Sequence, residues 1–209
     1  MNILFLGPQG SGKGTQARLL AQKFELFYFD NGGFLRELAK KNDVVRETIN
    51  SGKLVPNKEM ASYIEAFFDE KQIWDGIIFD GFPRTIEQYD FFKKWLSDKK
   101  VTLDFVFVLI IREKTTIERL SARRMDPATG IIYNLITNPP SAEVNMDSLV
   151  QREDDKPEAI KKRLQIYKEM TEPLVNKLKE ESKVFEIDGE RAIDEIQKEI
   201  ERIIKNEKN

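Results

Sequence analysis

Apolar residues fall along this chain in two alternating rhythms. Short runs with few polar interruptions predict strands at Asn2 to Leu6, Phe27 to Phe29, Gly76 to Phe79, Phe105 to Ile110 and Lys183 to Ile187. Such continuity belongs to strands covered on both faces. Between them, helical patterning predicts helices at Lys13 to Phe24, Gly33 to Lys41, Glu59 to Glu70, Ile86 to Leu96, Lys114 to Arg124 and Lys156 to Lys179. Strand and helix in turn predict an α/β fold, a parallel sheet covered by helices.

Two stretches break the alternation. Residues 30 to 58 are patterned as helix but interrupted at Ser51-Gly52, and residues 125 to 155 are rich in Pro, Asn, Ser, Thr and Gly, with short apolar pieces such as Ile131-Ile132-Tyr133. Both are expected to be lobes inserted into the core. The charged end beyond Ile204 is expected to be a fraying helix terminus. Trp74 and Trp95 are expected in the packing, and Ile160, Leu164 and Tyr167 on a buried helix face.

A length of 209 residues suits one fold of this class with inserted lobes. The 34 basic and 36 acidic residues nearly cancel, leaving no broad cationic field for nucleic acid or an anionic membrane, so any phosphate site must be local. The longest apolar runs, such as Phe105 to Ile111, fall short of the roughly 20 residues of a membrane span. The first residues enter a strand pattern without the flanks of a cleaved signal, which makes the cytoplasm the expected location. With no cysteine and no histidine, the chain lacks a thiolate, an imidazole and the usual zinc ligands. Lysine, arginine, carboxylates, hydroxyls and backbone amides remain, an inventory that fits phosphoryl transfer.

The predicted first strand runs into Gly7-Pro8-Gln9-Gly10-Ser11-Gly12-Lys13-Gly14-Thr15, which opens an amphipathic helix. Glycines there let the backbone curl until its amides face an anion, and Lys13 adds a point charge. The alternative is a glycine-rich turn with an exposed lysine. Gly14 stands where the general pattern has a hydroxyl for magnesium, with Thr15 one place later.

A second motif follows the third strand: Asp80, then Gly81-Phe82-Pro83-Arg84-Thr85, then Gln88. A carboxylate at a buried strand end beside a phosphate loop suits magnesium held through water, and Arg84 offers a planar fork to phosphate. The plainer reading is an Asp-Gly turn with a surface arginine. Composition alone would give the run Asp80 to Arg84 in fewer than about one chain in a thousand.

Together these segments resemble the adenylate kinase family of nucleoside monophosphate kinases. The resemblance continues in Gly32-x-x-Leu35-Arg36, Gly52-Lys53-Leu54-Val55, Arg119-x-x-x-Arg123-Arg124, Asn138-Pro139-Pro140, Arg152-x-Asp154-Asp155, Lys162-Arg163-Leu164 and Asp188-Gly189. It implies a phosphate-loop core with five parallel strands, a monophosphate-binding lobe and a lid. The divisions it implies are core 1–29, monophosphate lobe 30–58, core 59–118, lid 119–156 and core 157–209. It also implies reversible transfer from magnesium-bound ATP to AMP, giving two ADP, by a monomer.

Carried over by position, the resemblance assigns Gly10, Ser11, Gly12, Lys13, Gly14 and Thr15 to the ATP phosphates, with Arg119, Arg123, Ile132, Tyr133 and Arg191 around the same nucleotide. Asn31, Arg36, Lys53, Leu54, Val55, Gly81, Phe82, Pro83, Arg84 and Gln88 fall to the monophosphate, joined by Arg152 and Arg163. Asp80 is assigned to magnesium through water. Lys13, Arg84, Arg119, Arg123, Arg152 and Arg163 form the expected catalytic set. Arg119 and Arg123 are expected four apart on one helix face, converging with Arg163 on the transferring group.

The chain departs from the family in two places. A cysteine-free lid predicts no zinc, with Asp126 and Thr129 matching half of a hydrogen-bonded polar set and Asn145, Met146, Asp147 and Ser148 as candidates for the other half. The family's Thr-Gly-Asp reads Asn31-Gly32-Gly33, so a hydroxyl near the base and a carboxylate near magnesium are both missing. Gln88, whose amide both donates and accepts, favours adenine. UMP or CMP remains the alternative acceptor, and a catalytically weak nucleotide-binding module or switch the alternative class. A guanine-reading Asn-Lys-x-Asp is lacking; the nearest matches are Asn57-Lys58-Glu59-Met60 and Asn176-Lys177-Leu178-Lys179.

Overall fold

The structure, a computed structural model, describes residues 1–208. Five parallel strands form the central sheet: β1 (Ile3–Leu6), β2 (Phe27–Asp30), β3 (Ile77–Asp80), β4 (Phe105–Ile110) and, last in the chain, β7 (Val184–Asp188). Their spatial order is β2-β3-β1-β4-β7. From β1 the chain moves to one side for β2 and β3 and to the other for β4 and β7. The crevice beyond the carboxyl ends of the strands around β1 is where ligands bind in open sheets of this kind.

The uninterrupted apolar runs have a direct cause. Leu4 and Leu6 of β1 face one core with Ile77, Phe79, Val106 and Val108, whereas Ile3 and Phe5 face another with Ile78, Phe105 and Phe107. Successive side chains point to opposite faces, so a strand covered twice must be apolar at every position. The second core is closed by α1 (Lys13–Phe24) and α9 (Ile193–Lys208) through Leu20, Ile196, Ile200 and Ile204. The first is closed by α4 (Asn57–Lys71), α5 (Ile86–Asp98) and α8 (Glu172–Glu181), and contains Phe29, Phe68, Phe79, Phe92 and Trp95. Trp74 packs against Trp95 with ring centroids 6.3 Å apart, as expected of a core pair.

The two irregular stretches differ in kind. Residues 30 to 58 hold α2 (Asn31–Ala39) and α3 (Asp43–Asn50), which send Leu35, Ala39 and Val45 into the first core, joined by Val55 from the segment after α3. Residues 123 to 150 hold the antiparallel pair β5 (Arg123–Met125) and β6 (Ile132–Asn134), and Ile131, Leu135, Ile136, Met146 and Val150 are exposed.

Two helix expectations are corrected. The helix predicted from Lys114 to Arg124 is α6 (Glu113–Ser121); the chain leaves it at Ala122 and Arg123 opens β5. The long helix predicted from Lys156 to Lys179 is α7 (Pro157–Ile166) and α8, joined by a π-helical turn at Tyr167–Thr171. Period-3.6 patterning runs through such a turn unchanged, so sequence alone merges the two.

Candidate active site

The glycine-rich loop is built around an open helix end. Gly12, the residue before α1, is left-handed (φ 95°); it gives no side-chain cap, and the first turn carries no acid. The leading amides of α1 therefore face outward without a partner from a cap, an arrangement that favours an anion. Gly7 is fixed by space and conformation together, since its φ is 136° and an added Cβ would lie 2.3 Å from the carbonyl oxygen of Leu109. Lys13 curls over the loop, its Nζ donating to the carbonyls of Gly7 and Pro8, both at 2.7 Å.

Gly14 now has a reason. A Cβ there would stand 3.1 Å from Oδ2 of Asp80 and 3.2 Å from the Tyr28 hydroxyl, which itself donates to that oxygen at 2.8 Å. The place a hydroxyl side chain takes in the general motif is filled by Tyr28 and Asp80. Burial raises the Asp80 pKa, Lys13 opposes the rise, and Asp30 adds to it. Burial likewise lowers Lys13 from 10.5 to about 7, with Asp80 pulling the other way and Arg84, Arg163 and Arg123 reinforcing the fall.

Beside the loop lies a cavity of about 240 Å³. Asn31, Arg36, Lys53, Leu54, Val55, Arg84, Gln88, Arg152 and Arg163, all assigned to the monophosphate, line it. A second cavity of about 30 Å³ touches Gly7, Lys13, Gly81 and Arg84, and Gln9 and Arg84 line both. Arg84 thus stands between the phosphate loop and the larger cavity. Its Nε donates to Gly81 O at 2.6 Å, and its carbonyl accepts from Thr171 of the π-turn at 2.9 Å.

Positive charge gathers here with too few acids to balance it. Arg123 donates twice to the buried Asp155, from Nε at 2.7 Å and Nη2 at 2.5 Å, and Arg163 Nη1 reaches the same carboxylate at 3.2 Å. Arg152 makes no ion pair among the described residues, and its Nε is buried without a partner. Burial and the neighbouring Arg123 and Arg36 bring it down to about 9. Burial also lowers Arg163, to about 10, against the pull of Asp154. Burial disfavours the charge on Asp154, yet Arg163, Arg123, Arg152 and Arg36 hold its carboxyl below the usual range.

Several assigned residues do other work. Arg119 donates to Gly10 O at 3.3 Å and Gly189 O at 2.8 Å, tying the phosphate loop to the end of β7. It does not converge with Arg123 and Arg163, because the helix ends between Arg119 and Arg123. Phe82 is fully buried in the first core and Pro83 is buried, and neither lines either of these two cavities. Arg191 pairs with Glu199 on the surface. Ile132 and Tyr133 are half-buried in β6, and Thr15 is exposed on α1.

Gln88 is less free than its sequence promised. Its Oε1 accepts from Arg84 N at 2.8 Å and its Nε2 donates to Asn57 Oδ1 at 3.1 Å, leaving one N–H and limited acceptor capacity. Asn31 donates through Nδ2 to Gly81 O at 2.9 Å, and its Oδ1 is buried without a partner. Asn31, more than Gln88, offers an unused polar atom. Gln9, Tyr28, Asp30 and Asn57 were not assigned in the sequence; Gln9 lies within the quoted loop, whereas Tyr28 and Asn57 meet partners distant in the chain.

The two halves of the lid's polar set do not meet. Asp126 accepts from Thr129 Oγ1 at 2.7 Å and Ala128 N at 2.9 Å, while Asn145 accepts from Asp147 N at 3.0 Å, so each half closes on itself. Backbone bonds between Met125 and Val150, 2.9 Å in both directions, join them instead. Among the described residues no group of three or more carboxylates has metal-holding geometry, and no helix is long and apolar enough to cross a membrane.

An open helix end at the switch point of a parallel sheet, adjoining a basic cavity, defines an α/β fold of the phosphate-loop class. The chain belongs to the adenylate kinase family, whose family model, described as adenylate kinase, matches residues 5–183. It is 36% identical to an adenylate kinase of Chloroherpeton thalassium over 98% of both chains. It is also 36% identical to one from Kosmotoga olearia, over 99% of this chain and all of that one. An adenylate kinase of Archaeoglobus fulgidus is 32% identical over the whole of both.

Proposed function

We propose that this chain catalyses reversible phosphoryl transfer from ATP to AMP, giving two ADP, with the ATP phosphates on the loop Gly10 to Thr15 and AMP in the larger cavity. The observation that carries the reading is the position of Arg84. It lines both cavities, where a group passing from one nucleotide to the other must travel, and Lys13 lies beside it in the smaller one.

The acceptor is already a phosphate oxygen, so no general base is required; the protein's task is to offset charge and exclude water. In this reading Arg36, Arg84 and Arg152 hold the monophosphate, and Lys13, Arg123 and Arg163 the transferring group. A single such guanidinium is worth about 10³ to 10⁵ in rate in other phosphoryl-transfer enzymes. Asp155 keeps Arg123 and Arg163 side by side, which prevents two mutually repelling cations from dispersing. Arg119 acts through the loop, holding Gly10. Asp80, with oxygen donors of the hard kind magnesium takes, is the residue to hold that ion through water. When bound with ATP, the ion offsets charge on the phosphate oxygens.

Asn31 Oδ1 supports a base bearing an exocyclic amino group, since a keto oxygen would leave that acceptor unpaired. Residues 30 to 58 and 119 to 156 are the two lobes that close over the nucleotides, on a core of 1–29, 59–118 and 157–209. A monomeric enzyme is the state the resemblance implies. The test is transfer from ATP measured against AMP, UMP, CMP and GMP. AMP should be the best acceptor, and absence of transfer to every acceptor would defeat the reading.

A further inference from the structure

Gly33 is a glycine with no conformational need to be one. It sits in the first turn of α2, and its φ is not in the left-handed region. A glycine within a helix costs about 1 kcal/mol relative to alanine. What it supplies is room, because a Cβ at Gly33 would lie 2.7 Å from Oδ2 and 3.1 Å from Cγ of Asp30. The Asp30 carboxylate lies over the Gly33 α-carbon, in the space any side chain there would take.

Asp30 is the last residue of β2 and the ladder partner of Asp80. Paired residues on neighbouring parallel strands lie about 4.8 Å apart and point to the same face. The carboxylate over Gly33 therefore shares a strand end with the acid assigned to magnesium. Arg36 and Arg18 approach Asp30 Oδ2 only to 3.5 and 3.8 Å, too far for strong charge-assisted bonds. Arg36 gives it one long hydrogen bond, from Nη2.

We propose that Asp30 is a positioning residue that supplies, from the end of β2, the acidic function absent at Gly33, orienting the water shell of magnesium-bound ATP alongside Asp80. The Asp30–Gly33 pair is then one exchange in two parts, an acid gained at the strand end and a side chain removed from the helix to admit it. This rests on the kinase reading of the site.

The test uses the full chain with ATP and Mn²⁺ as a paramagnetic probe, reading metal affinity by electron paramagnetic resonance and AMP KM separately. Asp30→Asn, nearly isosteric, should weaken Mn²⁺ binding to the ATP complex about tenfold, as loss of an outer-shell partner does. Gly33→Asp alone should lower the melting temperature, because it sets a side chain against Asp30. The double variant Asp30→Ser/Gly33→Asp should recover metal affinity lost in Asp30→Ser. Unchanged Mn²⁺ affinity in Asp30→Asn would overturn the proposal, as would a double variant no better than Asp30→Ser. So would a rise in AMP KM with metal affinity intact, which would reduce Asp30 to a tether for Arg36. Metal-nucleotide binding is scored without turnover, so a chain that binds Mn²⁺ and ATP but phosphorylates no acceptor would defeat the kinase reading separately.

Discussion

Residues 30 to 58 and 123 to 150, proposed above as monophosphate lobe and lid, are built on opposite principles. The first buries Leu35, Ala39, Val45 and Val55 in the main core, and Gly52 lets it seat closely on α7: a Cβ there would be 2.8 Å from Ala159 O. Residues 123 to 150 place no side chain in any of the three apolar clusters. They are held by the β5–β6 ladder, the Met125–Val150 bonds and, at their base, the Arg123–Asp155 pair. Local stability follows buried apolar contact, so residues 123 to 150 sit at the low end and residues 30 to 58 nearer the core.

The largest test removes what both regions serve. Lys13→Ala and Arg84→Ala should each lower phosphoryl transfer by about 10³-fold or more while leaving the fold intact, since each takes a cation from the gap between the cavities. A loss below about tenfold in either would mean that transfer does not pass there.

Next comes the tie at the base of the lid. Asp155 is fully buried between Arg123 and Arg163, so Asp155→Ala strands the half-buried Arg123 and leaves Arg163 with Asp154 alone. Breaking a buried pair by removing one partner costs about 3 to 5 kcal/mol, seen as a lower midpoint in denaturant. Were the lid independent of the core, the midpoint would not move.

The contrast between the lobes is then measured directly. Leu35→Ala should cost about 2 to 5 kcal/mol, as core truncations do. Ile136→Ala, on an exposed lid side chain, should stay within about 0.5 kcal/mol. Equal effects would show that the lid has a core of its own and would erase the comparison.

What the sequence made legible follows the same division. Strands buried on both faces, the loop Gly7 to Thr15 and the run Asp80 to Arg84 carry their signal in adjacent residues, so the sheet and the phosphate site could be read before folding. Arg123 was misplaced on α6 because helical spacing does not mark where a helix stops. Gln88 lines the larger cavity, but that Arg84 N and Asn57 already engage its amide could not be read from the sequence. Gly33 read as a lost acid, since the carboxylate that fills its space comes from another element.

The last prediction is electrostatic and bears on the phosphate loop. Lys13 in the free protein is lowered to about 7, first by burial, while an unfolded lysine titrates near 10.5. Between those values the unfolded chain binds more protons than the folded one, so this lysine makes stability rise with pH through that window. A phosphate on the loop supplies the opposite charge that restores the proton. ATP binding at pH 8 should therefore take up a proton at Lys13, and affinity should fall as pH rises from about 7, by at most about tenfold per unit. Calorimetry in two buffers of different ionisation enthalpy reads the uptake, and Lys13→Met should abolish that share of it. If uptake is the same in the variant, the proton enters elsewhere, and the loop is not the half of the site that waits uncharged for its ligand.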